Sequence, residues 1–228
     1  MNTSETLEIK DLRIILSDSA PKLTGPADLE VIDGIIQMTE ADILSVLNII
    51  EKLEKDSILV EIGSSFGHLT TVLGEFARFK QCKLFTIDNF VGTGSELESC
   101  YKKNDIRAML ERNLKNFGIE DFVTIIEGDS AKKSNYFKDK EVDFVFIDGD
   151  HRYSQVKEDI MSWFPKIKTG GTMAGHDYTG KLFSEKHIEQ DTEGGGWIHH
   201  GVNKAVSESF SSIIIFPDTI WCAPKGGK

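Results

Sequence analysis

Short apolar runs recur along the chain between stretches with helical spacing, and their alternation predicts most of the fold. Runs of strand length stand at Ile58 to Ile62, Lys83 to Ile87, Val123 to Glu127, Val142 to Ile147, Gly171 to Gly175, Ser212 to Phe216 and Ile220 to Ala223. The first four are nearly continuous apolar segments without clean alternation, the pattern of strands covered by helices on both faces of a parallel sheet. Between them, Leu69, Val72, Leu73 and Phe76, then Ile106, Met109, Leu110 and Leu114, then Val156, Ile160 and Trp163 each give a helix one apolar stripe. Strand and helix alternate through residue 175. A long polar, glycine-rich segment follows, then one more helix over Val202 to Phe210 and two closing strands joined as a hairpin at Phe216-Pro217-Asp218-Thr219. The pattern predicts an α/β fold with a doubly wound, mostly parallel seven-stranded sheet and an antiparallel last strand.

Ahead of the first strand, Thr39 and Asp42 read as a helix start, with Ile43, Leu47, Ile50 and Leu53 on the buried face. Residues 1–38 hold Pro21, Gly25, Pro26 and Gly34 and are read as an N-terminal arm; a mobile arm, a substrate lid and an oligomer contact stay open for it. Residues 39–228 are expected to form the single domain, with 179–201 as a substrate-covering insertion.

Composition narrows the class. The 228 residues contain no apolar run approaching the roughly 18 that a membrane span needs. Met1 to Lys10 is polar and acidic, without the features of a secretion signal, and Cys82, Cys100 and Cys222 are scattered and never in a C-x-x-C pair. These features place the expected compartment in the cytoplasm. With 37 acidic against 26 basic residues the net charge is -11, which repels phosphate backbones and points to a small-molecule substrate rather than nucleic acid. No membrane partner is expected, and a homo-oligomer stays open.

The most informative stretch is Leu59-Val60-Glu61-Ile62-Gly63-Ser64-Ser65-Phe66-Gly67-His68, a strand entering a glycine turn that opens a helix. Glycines there let the backbone turn tightly and approach a ligand closely. The spacing Gly63-x-x-x-Gly67 departs from the G-x-G-x-x-G of dinucleotide sites, and no Gly-Lys-Ser/Thr of a P-loop follows, so NAD and ATP are disfavoured. Asp88, followed by Asn89, ends the second strand, where a carboxylate can accept both ribose hydroxyls of an adenosyl group. Glu127-Gly128-Asp129-Ser130 ends the third, where a glycine and a short polar side chain can close on an adenine edge.

These residues, E-x-G-x-x-x-G, an acidic end to strand two and Gly-Asp-Ser, resemble the class I S-adenosylmethionine-dependent methyltransferases over about residues 40–224. Val142-Asp143-Phe144-Val145-Phe146-Ile147-Asp148-Gly149-Asp150-His151-Arg152-Tyr153, with Gly170-Gly171 and Gly175-His176-Asp177-Tyr178 downstream, is similar to the bacterial small-molecule group, methyltransferase domain family 24. The catechol and macrolide-sugar O-methyltransferases are more distantly similar. The resemblance implies a Rossmann-like sheet and adenosylmethionine held by Glu61, Gly63, Ser64, Ser65, Gly67, Asp88, Asn89, Gly128, Asp129, Ser130 and Asp148.

Asp148 ends strand four, and His176 and Asp177 end strand five, so all three are expected at one sheet edge as a candidate metal cluster. In the catechol and macrolide-sugar enzymes, the corresponding positions hold magnesium, which makes magnesium or manganese the implied ion. His176 departs from that pattern: magnesium prefers oxygen, whereas imidazole suits manganese, iron, nickel or zinc better. His151 falls where those relatives keep a proposed general base, and an imidazole can accept a proton at neutral pH; stacking on adenine or capping the following helix are its other readings. His151 and Asp148 are thus the catalytic candidates.

Gly194-Gly195-Gly196-Trp197 gives the insertion hinge freedom. The adjacent His199 and His200 project differently and are read as contacting substrate or solvent rather than metal. Val91 to Ser99 is read as a cofactor flap or a plain loop. The expected activity is methyl transfer to a hydroxyl oxygen of a small molecule, with or without a metal. The alternatives are a metal-independent N- or O-methyltransferase, a cofactor-binding protein without transferase activity, and a hydroxylase-like tailoring protein.

Overall fold

The computed structural model describes residues 29–30, 38–190 and 198–226. Most of the N-terminal arm and the Gly194 to Trp197 stretch lie outside these residues. The elements run α1 (Glu40–Ile50), β1 (Ile58–Ile62), α2 (His68–Lys80), β2 (Lys83–Asp88), α3 (Gly94–Lys103), α4 (Ile106–Phe117), β3 (Val123–Glu127) and a single turn, α5 (Ser130–Lys133). They continue as β4 (Val142–Ile147), α6 (Tyr153–Trp163), β5 (Ile167–Gly175), α7 (His200–Ser209), β6 (Ile214–Ile215) and β7 (Trp221–Pro224).

The seven strands lie in the order β3-β2-β1-β4-β5-β7-β6. Pairings from β3 through β5 are parallel, whereas β7 runs antiparallel to both β5 and β6. This is the doubly wound sheet with an antiparallel last strand that the apolar runs predict. Because successive strand residues point to opposite faces, Leu59, Leu84 and Phe144 pack under α1, α2 and α4. Val60, Ile62, Val145 and Ile147 pack under α6 and α7.

The last strand is shifted by one residue to Trp221–Pro224, Leu53 lies beyond the end of α1, and three further boundaries depart from the sequence reading. Strand five starts at Ile167 rather than Gly171, because its register against β4 jumps from Val142–Ile167 to Phe144–Thr172 and the intervening residues bulge. The run Ser212 to Phe216 yields only Ile214–Ile215, exposed at the sheet edge with a single neighbour, β7. The last helix begins at His200, two residues before Val202.

The capping box at α1 forms as expected: Thr39 accepts from the Asp42 backbone N–H, and the Asp42 carboxylate accepts from the Thr39 N–H at 3.0 Å. From the arm, Leu29 is buried and Glu30 is tied to α4 through Arg112 and Asn113.

Candidate functional site

Parallel pairing in register brings the carboxyl ends of β1, β2, β4 and β5 to one level, since Ile62 pairs with both Ile87 and Ile147, and Ile147 with Gly175. Backbone hydrogen bonds carry the alignment one residue further, from Gly63 N to Ile87 O (2.8 Å), Asp148 N to Ile62 O (2.8 Å) and His176 N to Ile147 O (3.1 Å). Strand order reverses between β1 and β4, where open α/β sheets leave a crevice for ligands. Gly63 sits there with φ +89°, and a Cβ on it would stand 2.0 Å from the Asp148 carbonyl oxygen, so only glycine lets the two turns meet.

The residues expected to hold the cofactor stand at the ends of β1, β2, β3 and β4 or in the turns that follow them. Ser64 is buried, and its Oγ has no hydrogen-bond partner among the described residues. Gly67 heads α2. The Asp88 carboxylate accepts from the backbone N–H groups of Ser65 (2.8 Å) and Phe90 (2.7 Å), which holds the glycine turn against β2. Burial raises the Asp88 pKa, and those same N–H groups oppose the rise. The exposed Asn89 side chain turns back to accept from Val91 N. Gly128 N donates to Asp88 O. The Asp129 side chain caps α5 and pairs with Lys132, while Ser130 Oγ donates to the buried Asp159 carboxyl.

Glu61 lies beneath the turn, where its Oε2 accepts from Thr70 and Thr86, each at 2.7 Å. Burial pushes its pKa up to about 8 against those two bonds, so it carries its proton at neutral pH. Its role in the observed geometry is to tie β1 to β2 and α2 under the crevice.

Burial likewise pushes Asp159 up to about 7, against the hydrogen bond from Ser130. An acid whose folded pKa is raised loses stability as pH climbs from its unfolded value to its folded one, and the loss is constant above that. Asp159→Asn is therefore expected to melt several degrees above the wild type at about pH 8, the gain bounded at about 4 kcal/mol by the size of the shift. The difference should vanish towards about pH 4. Parallel melting curves over that range would contradict this.

At the β4 and β5 ends the expected polar residues come together. His176 lies between three carboxylates: its Nε2 is 3.3 Å from Asp42 Oδ2, and its Nδ1 is 3.5 Å from both Asp148 Oδ1 and Asp177 Oδ2. His151 Nε2 stands 3.1 Å from Asp177 Oδ2 and 3.7 Å from Asp148 Oδ1. Asp177 has φ +63°, a left-handed conformation that Asp tolerates better than most residues. Asp150, two residues beyond Asp148, pairs with Arg152 instead.

The electrostatics follow from this packing. Burial works against a charged His176, but the Asp148 charge and hydrogen bonds to Asp148, Asp177 and Asp42 outweigh it and raise its pKa. Burial also opposes the charge on Asp177, yet His151 and His176 hold it well below the usual carboxylate range. Asp148 is lowered in the same way, chiefly by His176. A cationic ring at His176 thus neutralises the acids around it.

Three site residues escape the sequence reading. Asp42 is visible there only as a helix cap. Tyr101, on α3, donates its hydroxyl to Ser65 Oγ at 2.6 Å, so the segment read as a flap or loop includes a helix whose far end reaches the glycine turn. His199 is not solvent-facing: its Nε2 lies 3.6 Å from Asp177 Oδ1, and its ring packs on His151 with centroids 4.2 Å apart. His200 is buried as well, its Nδ1 accepting from Ser184 N. The Asp42–His176 and Asp177–His199 contacts span long sequence separations, which periodicity cannot report.

Beside the cluster lies a small pocket lined by Asp148, His151, His176, Val156, Val202 and Trp221. Trp221 is buried, and its indole nitrogen has no partner among the described residues. No helix among the described residues is long and apolar enough to cross a membrane.

Solved structures share this architecture. A SAM-dependent O-methyltransferase from Thermotoga maritima aligns with a TM-score of 0.53 and 14% identity over 97% of this chain and 72% of its own. The O-methyltransferase NovP aligns at 0.56 and 15% identity over 81% and 78%. CalS11, a TDP-rhamnose 3'-O-methyltransferase of calicheamicin biosynthesis, aligns at 0.53 and 12% identity over 92% and 94%. Identities this low establish the fold alone. A family model described as a methyltransferase domain matches residues 60–178, which run from β1 to Tyr178 and take in the glycine turn, Asp88, Asp148 and the His176-Asp177 pair. On that match, just over half of its length, the chain belongs to the methyltransferase-domain family and is an S-adenosylmethionine-dependent methyltransferase.

Proposed function

We propose that this methyltransferase acts on a hydroxyl oxygen of a small molecule, with a divalent cation held by Asp148, His176 and Asp177. The observation that carries the reading is the position of Asp42. Metal-binding histidines characteristically donate their second ring N–H to a carboxylate, which fixes the tautomer and aims the other nitrogen. Asp42 occupies that place on Nε2, while Nδ1 faces Asp148 and Asp177. One imidazole with two carboxylates fits manganese, iron or zinc better than magnesium.

Adenosylmethionine supplies a methyl group on a cationic sulfur, open to in-line displacement by an aligned, deprotonated nucleophile. A cation in the cluster supplies the means to lower the pKa of an acceptor hydroxyl and orient it. Within this reading, Asp88 accepts the ribose hydroxyls, and Gly63, Ser64, Ser65 and Gly67 let the crevice close on the cofactor. Ser64 Oγ, buried and without a partner among the described residues, is a polar group of the kind a ligand satisfies. Gly128, Asp129 and Ser130 stand at the adenine end. His151, against the pocket wall, takes the proton. The indole N–H of Trp221 favours an acceptor bearing oxygen over a purely apolar one, because a buried donor left unpaired costs about 1–3 kcal/mol. The net charge of -11 favours a small molecule over nucleic acid.

A panel of hydroxyl-bearing small molecules assayed with labelled adenosylmethionine tests the reaction class. Chelation with EDTA is expected to lower turnover at least about tenfold, with Mn²⁺ or Mg²⁺ restoring it. Turnover untouched by chelation would refute the metal and leave methyl transfer standing.

A further inference from the structure

We infer that His151, Asp177 and His199 form a second cation site, selective for first-row transition-metal dications, that shares only Asp177 with the Asp148–His176 pair. Their donor atoms lie within 4.8 Å of one another. His151 Nε2 lies 3.1 Å from Asp177 Oδ2 and His199 Nε2 lies 3.6 Å from Asp177 Oδ1, each near the spacing of about 3.4 Å between ligands in a tetrahedral site with metal–ligand bonds of about 2.1 Å. Oδ1 faces His199, and Oδ2 faces His151 and His176. Two imidazoles and one carboxylate form a borderline donor set that prefers zinc, iron, cobalt or nickel to magnesium. Three protein ligands leave coordination positions open, as in catalytic zinc sites.

The chain builds this arrangement rather than meeting it by chance on a surface. The three side chains retain only 14–17% of their exposure. His199 occupies the N-cap position of α7, yet its side chain makes no capping bond and faces the cluster. Gly201 brings it there: a Cβ at that position would lie 2.3 Å from the His151 carbonyl oxygen and 2.4 Å from Tyr153 N, so any larger residue would push α7 off the His151 turn. His199 also lies beyond the family-matched segment, which ends at residue 178, and so adds a ligand that the matched segment does not contain. The inference rests on the proposed reading of Asp177 as a ligand. Filling of this site would withdraw His151 Nε2 from the proton transfer proposed above, so ligand and base are alternative states of the one residue.

Metal-free full-length protein titrated with Co²⁺, and separately with Zn²⁺, tests this without requiring turnover. Visible cobalt absorption and equilibrium dialysis give site geometry and stoichiometry. Wild-type protein is expected to bind Co²⁺ with d–d bands that excess Mg²⁺ does not erase. With two sites present, His199→Ala should lose one of the two bound Co²⁺ equivalents, or weaken it at least about tenfold, and His199→Gln should do the same if the alanine variant folds poorly. Asp148→Asn, which removes a ligand of the other site, should retain the equivalent that the His199 variants lose. Unchanged cobalt binding by folded His199 variants overturns the inference, as does absence of Co²⁺ and Zn²⁺ binding by the wild type. Loss of all bound Co²⁺ in both the His199 and the Asp148 variants also overturns it, by revealing one common site. Failure of the hydroxyl-transfer reading is separate, because it would appear in the turnover assay while these bands persisted.

Discussion

Asp177→Asn is expected to reduce methyl transfer by about a thousandfold while leaving adenosylmethionine binding within a few-fold of wild type. The size follows from the residue's place in the site. Both of its oxygens face imidazoles, from three different segments of the chain, and removal of a preorganised charged group at a reacting centre typically costs a factor of 10² to 10³ in turnover. Asparagine tolerates the left-handed backbone at φ +63°, so the change removes the charge without straining the turn. Single-turnover rates at saturating cofactor, set beside calorimetric affinity for adenosylhomocysteine, separate the two effects. Turnover within a few-fold of wild type would remove Asp177 from the machinery.

The converse pattern is expected at Asp88. Hydrogen bonds to a charged acceptor contribute about 1.5–3 kcal/mol each, so losing those to two ribose hydroxyls predicts a fall of at least about a hundredfold in cofactor affinity for Asp88→Ala. The same substitution frees Ser65 N and Phe90 N, which adds disorder of the glycine turn to the loss. Adenosylhomocysteine should raise the Tm of the wild type and fail to raise that of the variant at the same concentration. An undiminished thermal shift would place the ribose elsewhere. Together the two variants separate cofactor capture from chemistry along the sheet edge.

Much of this edge was legible in the chain because it depends on local rules. Apolar runs fix β1 to β4, the glycine turn follows β1, and parallel pairing in register brings Asp88, Asp148, His176 and Asp177 to comparable height without any knowledge of side-chain packing. What was illegible depends on how helices settle on the sheet. Asp42 satisfies a capping box, and that local explanation is complete as far as sequence can tell; its approach to His176 arises only when α1 packs across the strand ends. His199 meets Asp177 only because Gly201 allows α7 to close on the His151 turn. The short edge strand β6 was overread because an apolar run reports the capacity for burial, and Ile214 and Ile215 remain exposed.

The double engagement of Asp42 bears on how far the catalytic unit extends. The seven strands all lie at or after Ile58, so a chain beginning at β1 would retain every pairing of the sheet and Asp148, His176 and Asp177 at its edge. It would nonetheless leave one nitrogen of His176 without its anchoring acid. In the proposed reading the leading helix is therefore part of the site, and trimming it would strip away half of that histidine's surroundings.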